Sequence, residues 1–421
     1  MKTLKSIFLM VALFAMAFAT QAQKRNLDNY RSPDKDGLNV FEAPKDTAST
    51  YEGIKVRMGG AFALQYQSIN HENSGNAELI EIGDNFNLAT ANLDIDVALY
   101  DGVNLHLRTY LSSRHHPEPY VKGGYLQIDK LDFIKEGFME DVMQYVTIKL
   151  GHMENNYGDA HFRRSDNAMA LYNPFVGNYL MDGFTTEVGG EVYFRKNAWM
   201  VMAGLSNGKL NQAVNNPGTT SPSFIGKLGW DKQINEDLRV RLTGSVYSTA
   251  HSSRTYLYAG DRAGSRYYFV MENPEATSSA NYSSGRVNPM YNARLTAVMF
   301  NPFVKYKGLE FFGLVERADG KNHGDVEARI WNQYAAELIY RFGKNENMYV
   351  GGRYNLASGE LFGTQDKVDI TRFNVGAGWF LTKNILTKLE YVNQTYDGYP
   401  DESIFNEGKF NGLVVEAVIS F

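Results

Sequence analysis

The sequence predicts an all-β fold, a transmembrane antiparallel β-barrel of about sixteen strands, and three observations lead to it. Apolar and polar residues alternate with a period of two over most of the chain. The connections between these alternating segments are short and long in turn, as in barrels with turns on one side of the membrane and loops on the other. The first residues of the chain also have the features of an export signal.

Residues 1–22 have the composition of a signal peptide. Lys2 and Lys5 precede an uninterrupted run of 13 apolar residues from Ile7 to Ala19, and the TQA at 20–22 supplies the small residues that signal peptidase recognises. The run is shorter than the roughly 20 residues that a membrane-spanning helix needs. We therefore expect an exported protein rather than one anchored by an N-terminal helix.

The charge and composition exclude several classes of protein. The full chain has a formal net charge of −5, and removing residues 1–22 takes away two lysines, which leaves about −7. An acidic chain of this kind is not expected to bind nucleic acid. The absence of cysteine excludes disulfides and thiol catalysis. No apolar run after the signal is long enough for a transmembrane helix, whereas a barrel spreads its apolar residues over every second position.

The alternation is clearest in residues 89–99, where odd-numbered positions are apolar and most even-numbered positions are polar. A second alternating segment follows immediately. A three-residue turn at Asp101–Val103 would join the two segments in a hairpin that places Asp96 opposite Arg108. Oppositely charged side chains would then meet on the polar face.

The same pattern predicts sixteen strands along the chain. They cover residues 54–69, 88–100, 104–113, 123–133, 144–153, 183–195, 198–205, 223–231, 238–250, 293–306, 308–317, 328–342, 348–357, 369–381, 385–396 and 412–421. An even number of strands leaves both termini on the periplasmic side. Residues 54–421 would form the barrel, and residues 23–53 a periplasmic arm or linker.

The C-terminal strand ends on an aromatic residue, Phe421, after apolar residues at every second position. This ending resembles the signal that the bacterial barrel-assembly machinery reads, although a final edge strand would also look like this. We expect the machinery to be a partner through Phe421. The expected location is the outer membrane of a Gram-negative bacterium, with its lipid as the surrounding partner.

The polar faces of the strands predict a charged lumen, because a basic side chain facing the lipid at mid-membrane costs about 2–4 kcal/mol. The predicted pore wall consists of Arg108, Lys149, Glu187, Glu191, Arg239, Arg241, Arg353 and Arg372. A barrel of this strand number encloses an aqueous channel unless it is plugged. The expected function is passive diffusion of small hydrophilic solutes and ions, with no enzymatic activity and no metal or cofactor.

The insertion between the fifth and sixth strands carries the most specific sequence. The run KLGHMENNYGDAHFRRSDNAMALYNPFVGNYLMDGFTTEVGGEVYF at 149–194, with NPFVKYKGLEFFGLVE at 301–316, resembles the phosphate-selective porin O and P family, particularly its Bacteroidetes-type outer-membrane members. The resemblance covers most of residues 50–421. It implies a homotrimeric channel in which an inward-folded loop after strand 5 narrows the pore and basic side chains bind anions.

The resemblance also implies which residues form the constriction. The candidates carried over are His161, Arg163 and Arg164, with Asp166 as an orienting partner. Two guanidinium groups in a narrow channel attract anions and can bond phosphate-like oxygens in pairs. Alternatively, Arg163 and Arg164 attach the loop to wall carboxylates such as Glu187 or Glu191. Because the predicted lumen has nearly as many acids as bases, we expect only a weak preference for small anions over other polar solutes.

Two further functions stay open at this point. One is a non-transporting barrel that serves as a subunit of an outer-membrane assembly or secretion complex. The other is a barrel enzyme acting on lipids, for which the predicted strands offer no suitably placed Ser and His pair. Residues 251–292, rich in arginine and tyrosine near 253–275, are expected to form an external lid.

Overall fold

The computed structural model describes residues 27–46, 48–111, 120–165, 169–210, 220–259 and 266–421. Within these residues, sixteen antiparallel strands close into one barrel, in which each strand pairs with its neighbours in sequence and β1 pairs with β16. The predicted fold class is therefore confirmed. The predicted signal peptide at residues 1–22 lies outside the described residues and stays a prediction.

The strands have the following bounds. They are β1 Lys55–Glu72, β2 Asn85–Tyr100, β3 Val103–Leu111, β4 Tyr120–Ile128, β5 Val146–Glu154, β6 Thr186–Lys196, β7 Trp199–Ser206, β8 Ser223–Gln233, β9 Leu238–Thr249, β10 Arg294–Tyr306, β11 Leu309–Lys321, β12 Arg329–Phe342, β13 Met348–Glu360, β14 Lys367–Thr382, β15 Ile385–Asp397 and β16 Lys409–Ser420. One short helix, α1, spans Glu140–Met143, and single 3-10 turns lie at Lys35–Gly37, Ala160–Arg163 and Lys344–Glu346. Across the described ranges, no helix is long and apolar enough to span a bilayer.

The hairpin of β2 and β3 has a different register from the predicted one. Asp94, and not Asp96, lies opposite Arg108, and its carboxylate accepts a hydrogen bond of 2.7 Å from the Arg108 Nε. The strands are joined by two residues, Asp101 and Gly102, and Gly102 has a φ of +70° that favours glycine. The shorter turn, together with a register shift after Ala98, moves the pairing by two residues and keeps every side chain on its predicted face.

The two faces of each strand differ as the alternation predicted. On β7, Trp199, Val201 and Leu205 are exposed on the outside, whereas Met200 and Met202 between them point inward and are buried. On β16, Leu413 and Val415 are exposed, and Glu416 points inward. The outer surface is therefore apolar, as a lipid-facing surface must be, and the charges lie inside.

The two ends of the barrel differ in the length of their connections. At one end, which we call the turn side, pairs of strands are joined by as few as two residues, as at 101–102, 197–198 and 307–308. At the other end, the loop side, the connections include residues 155–185 and 250–293. The chain closes on the turn side, where the backbone of Phe421 exchanges two hydrogen bonds of 3.0 Å with Gly60.

Candidate functional site: the barrel lumen

The described parts of the connection between β5 and β6, residues 155–165 and 169–185, lie inside the barrel, as the sequence predicted, and are called the inward loop below. Its backbone is held by polar side chains of the wall. The amide of Val176 donates to Glu390 at 2.8 Å, and the amide of Leu180 donates to Asn355 at 2.7 Å. Val176 and Leu180 are fully buried. The loop is thus packed against the inner wall like part of a protein core.

The two adjacent arginines of the inward loop are buried and paired with carboxylates. Arg163 lies between Glu337 of β12 and the side chain of Asn39, each at 2.5 Å. Arg164 pairs with Asp182, which belongs to the inward loop itself. The side chains of Arg163 and Arg164 are only 2% and 1% exposed. Arg163 therefore attaches the loop to the wall, as the alternative prediction stated, although its partner is Glu337.

The remaining predicted constriction residues are His161 and Asp166. His161 lies between Glu154 and Asn156, with its Nε2 2.9 Å from the amide oxygen of Asn156. Asp166 lies outside the described residues. The assignment of His161, Arg163, Arg164 and Asp166 to the constriction of a channel stays a prediction.

Glu187 and Glu191, the predicted alternative partners of the two arginines, bind other groups. Glu187 accepts a hydrogen bond of 2.8 Å from the Tyr247 hydroxyl. Glu191 accepts one of 3.0 Å from the amide of Asn156, at the start of the inward loop. Glu191 therefore does attach the loop, but it binds a backbone amide of the loop and not an arginine side chain.

Most basic residues of the predicted wall are engaged with partners inside the barrel. Arg353 and Arg372 each donate a hydrogen bond of 2.7 Å to a backbone carbonyl of the inward loop, at Gly177 and Asn178. Arg239 pairs with Asp231 at 2.6 Å. Arg241 pairs with Asp159 of the inward loop at 2.8 Å. Arg353, Arg372 and Arg241 thus position the loop, whereas Arg239 also donates to the Asn39 carbonyl at 3.0 Å. The guanidinium groups of these four residues do not form a free basic track.

A second connection, residues 250–293 between β9 and β10, also enters the lumen. The Tyr267 hydroxyl donates to Glu390 at 2.5 Å, and Arg266 pairs with Glu416 of β16. The amide of Tyr268 donates to Gln67 of β1 at 2.7 Å. The expected external lid is therefore wrong for residues 266–271. The donors of this loop were expected to face open water outside the barrel. They bind buried acceptors on the inner wall instead.

The N-terminal residues 27–46, called the arm below, lie against the inner wall at the turn side. Successive arm residues contact successive parts of the barrel. Asp34 contacts Lys383 in the turn before β15, and Asn39 contacts Glu310 of β11. Glu42 contacts Lys227 of β8 and Arg241 of β9. The Ala43 carbonyl contacts Arg195 of β6, and Lys45 contacts Asp129 after β4. The arm thus runs around the inside of the mouth. The division of the chain into residues 23–53 and 54–421 itself stays a prediction.

Glu42 of the arm is held by two cations of the wall. Its carboxylate lies 2.9 Å from Arg241 and 3.1 Å from Lys227, and Asp159 of the inward loop contacts the same two cations. Burial alone would raise the pKa of Glu42, but Arg241 and Lys227 outweigh it and hold this pKa well below its usual range. The carboxylate is therefore ionised at neutral pH.

A cavity of about 180 Å³ remains in the lumen beside β3 to β6. Its lining includes Arg31 and Glu42 of the arm, Phe162 and Tyr172 of the inward loop, and Lys149 of β5. In all, the lining has four Lys or Arg side chains, three carboxylates and three histidines. The arm and the inward loop therefore form one side of this charged cavity.

Lys149 differs from the other wall cations. Its Nζ lies 5.2 Å from the ring centre of Tyr125 and 5.5 Å from that of Tyr193, so the ammonium group is flanked by two aromatic rings. Among the residues that the structure describes, no carboxylate lies within ion-pair distance of it. Lys149 is thus a cation that faces the cavity without a counter-charge.

Sequence reasoning missed the arm as part of this site. The signal was present in the three apolar residues Leu38, Val40 and Phe41, which stand together in an otherwise polar segment and are followed by Glu42. Phe41 is 3% exposed in the structure. A group of this kind in a supposed linker indicates a docking segment.

No family model matches the chain, and no curated protein matches it. Among solved structures, similar folds include the anion-selective porin from Comamonas acidovorans, with 11% identity and a TM-score of 0.54 over 87% of this chain and 100% of that chain. Others are OprB of Pseudomonas putida, with 11% identity and a TM-score of 0.53 over 88% and 94%, and the trimer form of OmpT of Vibrio cholerae, with 11% identity and a TM-score of 0.51 over 88% and 100%. At this identity the similarity shows the fold, which is that of outer-membrane barrels.

Proposed function

We propose that the chain is an outer-membrane channel of the porin type, through which small hydrophilic solutes and ions diffuse passively. The observation that carries the proposal is the polar cavity beside β3 to β6, enclosed by a barrel whose outer surface is apolar and whose inner surface is charged. A closed barrel in lipid needs no charged interior for stability. A charged interior with a residual cavity is what a solute path requires.

A weak preference for small anions is the selectivity that we propose. Lys149 faces the cavity and has no carboxylate partner in the part of the chain that the structure describes, and the phosphate-like class of solute offers the oxygens that ammonium and guanidinium groups bind. The resemblance to the phosphate-selective porin O and P family supports this preference, as does the similarity to a solved anion-selective porin. Membership of that family is part of the proposal.

Assembly as a homotrimer is also proposed. One structurally similar protein, the OmpT of Vibrio cholerae, is known in a trimer form. Most strands expose large apolar side chains on the outer surface, so subunit contacts could replace lipid contacts there.

A non-transporting barrel is the second candidate, because several segments fill the lumen. Inward-facing acids such as Glu316, Glu390 and Glu416 are no more than 1% exposed, since the loops cover them. A barrel filled in this way would serve as a rigid subunit of a larger outer-membrane complex.

Recording from the purified, folded chain in planar bilayers separates the two functions. A channel gives stable unitary currents that are linear in voltage and that scale with salt concentration. Under a salt gradient, the reversal potential is expected to have the sign for anion preference. A barrel that inserts and stays silent at all voltages would favour the non-transporting subunit.

A further inference from the structure

The contacts of the arm carry an inference that goes beyond a static channel. Phe41 inserts its ring between two other rings, edge-on to Phe303 of β10 at 5.4 Å and to Phe162 of the inward loop at 6.0 Å. It is 3% exposed, so the arm contributes an apolar anchor to the interior of the mouth. One side chain of the arm thereby joins the wall and the inward loop.

Glu42, the residue after Phe41, adds ion pairs to this apolar contact. Glu42 of the arm and Asp159 of the inward loop share the two wall cations Lys227 and Arg241, at distances of 2.6 to 3.1 Å. All four side chains are buried. Removing Glu42 from this group would leave Lys227 with Asp159 alone, and Arg241 with Asp159 and the partly exposed Asp231 at 3.2 Å.

The arm is held by side-chain contacts and a few hydrogen bonds, and not by strand pairing. Within the described residues it forms no strand, and its only regular element is the 3-10 turn Lys35–Gly37. Its composition is polar, with five acids and three bases in residues 27–46. A segment of this kind can leave the wall without breaking any β-ladder of the barrel.

We propose that the arm is a removable plug at the turn-side mouth, with Phe41 and Glu42 as its latch. This inference rests on the proposed channel function. With the arm docked, solutes are restricted to the narrow cavity beside β3 to β6. When the arm leaves, the mouth widens by the volume of some twenty residues, and the cations of β8 and β9 become exposed to the lumen.

Release of the arm has two measurable consequences. The conductance rises, because the arm no longer occupies the mouth. The preference for anions also rises, because the departing segment carries a net charge of −2 while Lys227 and Arg241 stay on the wall. A purely structural arm would change neither quantity while the barrel stays folded.

The first test weakens the latch in the full chain. Phe41→Ala combined with Glu42→Gln is expected to raise the unitary conductance at least about twofold and to shift the reversal potential towards anions. The matched control is Phe133→Ala combined with Glu136→Gln, the same exchange at exposed positions of the turn between β4 and β5. The control is expected to conduct like the parent.

The second test locks the arm by a reversible cross-link, which the absence of natural cysteines makes specific. Lys35 and Lys383 suit the pair, because the Lys35 amide donates to the Lys383 carbonyl at 2.8 Å. In Lys35→Cys with Lys383→Cys, a short bis-thiosulfonate reagent, which joins the two thiols through disulfides, is expected to abolish the openings that follow release of the arm. Reduction of these disulfides is expected to restore them. Adding the cross-link to the latch variant is expected to return its conductance to the parent value.

The outcomes separate the plug from the channel. Equal conductance in parent, latch variant and cross-linked protein would overturn the plug and leave the channel function intact. Silence of all forms after verified insertion would overturn both. Should the latch variant fail to fold, shown by loss of heat-resistant mobility, the cross-link is applied with Phe41 and Glu42 unchanged and the conductance is recorded below about pH 4, where the arm is expected to undock. A rise in conductance at that pH that persists with the arm locked contradicts the plug.

Discussion

Arg163 and Glu337 form a buried ion pair at 2.5 Å that joins the inward loop to β12, with side chains 2% and 0% exposed. The same carboxylate pairs with Arg353 at 2.8 Å, its direct neighbour across the β12–β13 ladder. One wall acid therefore holds two guanidinium groups, one from the wall and one from the loop. This arrangement fixes the loop to the wall. Because both guanidinium groups are buried and paired with Glu337, they are poorly placed to attract ions from solution.

Replacing Glu337 by Gln should be strongly destabilising. The exchange leaves two buried guanidinium groups without a counter-charge, which costs about 3–5 kcal/mol of the free energy of unfolding. Urea unfolding in lipid vesicles measures the loss. The control is Glu346→Gln, whose partly exposed pair with Lys305 at 2.6 Å should contribute less than about 1 kcal/mol. Equal effects of the two exchanges would contradict the loop attachment.

Neutralising both loop arginines should change selectivity. In Arg163→Gln with Arg164→Gln, Asp182 loses its closest cationic partner and Glu337 loses one of two, so the lumen becomes more negative. We expect the anion-to-cation permeability ratio to fall roughly twofold. Reversal potentials in a salt gradient measure it, with Arg317→Gln on the exposed end of β11 as the control. A ratio that matches the control would remove both arginines from the constriction.

The arm should undock at low pH. The pKa of Glu42 lies below its unfolded value, because Arg241 and Lys227 outweigh burial, so its stabilising effect is complete above the ordinary value near 4.3. That effect is lost as the pH falls through the lowered pKa. We expect constant conductance from about pH 8 to 5 and a rise below about pH 4. The Glu42→Gln variant should lack this rise, and a transition between pH 8 and 5 would exclude Glu42 as its cause.

A charge on the outer surface should be costly in the middle of a strand and tolerated at its end. Leu228 is exposed on the lipid-facing side at the centre of β8, and Ile234 lies in the turn that follows it. Leu228→Arg should cost about 2–4 kcal/mol, whereas Ile234→Arg should cost about 0–1 kcal/mol. Unfolding in vesicles compares the two variants. Similar costs at both positions would argue that the outer surface of β8 does not face lipid.

The barrel could be predicted from the sequence because its determinants are local. Each strand alternates apolar and polar residues, so that the side of Leu228 or Glu416 follows from its own neighbours in sequence. The register was harder to predict, since the partner of Arg108 depended on a turn of two residues in place of three.

The filling of the lumen could not be predicted in the same way. Glu42 and Arg241 are 199 residues apart in sequence, as are many of the groups that hold the loops, and no periodicity links such pairs. Sequence analysis gave Arg241 its correct face without revealing that an acid of the arm would neutralise it. Lys149 was placed on the wall in the same way, and only the structure shows that, among the described residues, two aromatic rings and no carboxylate lie beside it.

Accessibility of position 149 during ion flow tests the proposed path most directly. The chain has no cysteine, so Lys149→Cys provides a single target for a charged thiosulfonate reagent, with Lys307→Cys in an exposed turn as the control. If ions pass through the cavity beside β3 to β6, modification of Cys at 149 should reduce the current by at least about half, and modification at 307 should not. Complete labelling at 149 with an unchanged current would contradict the account.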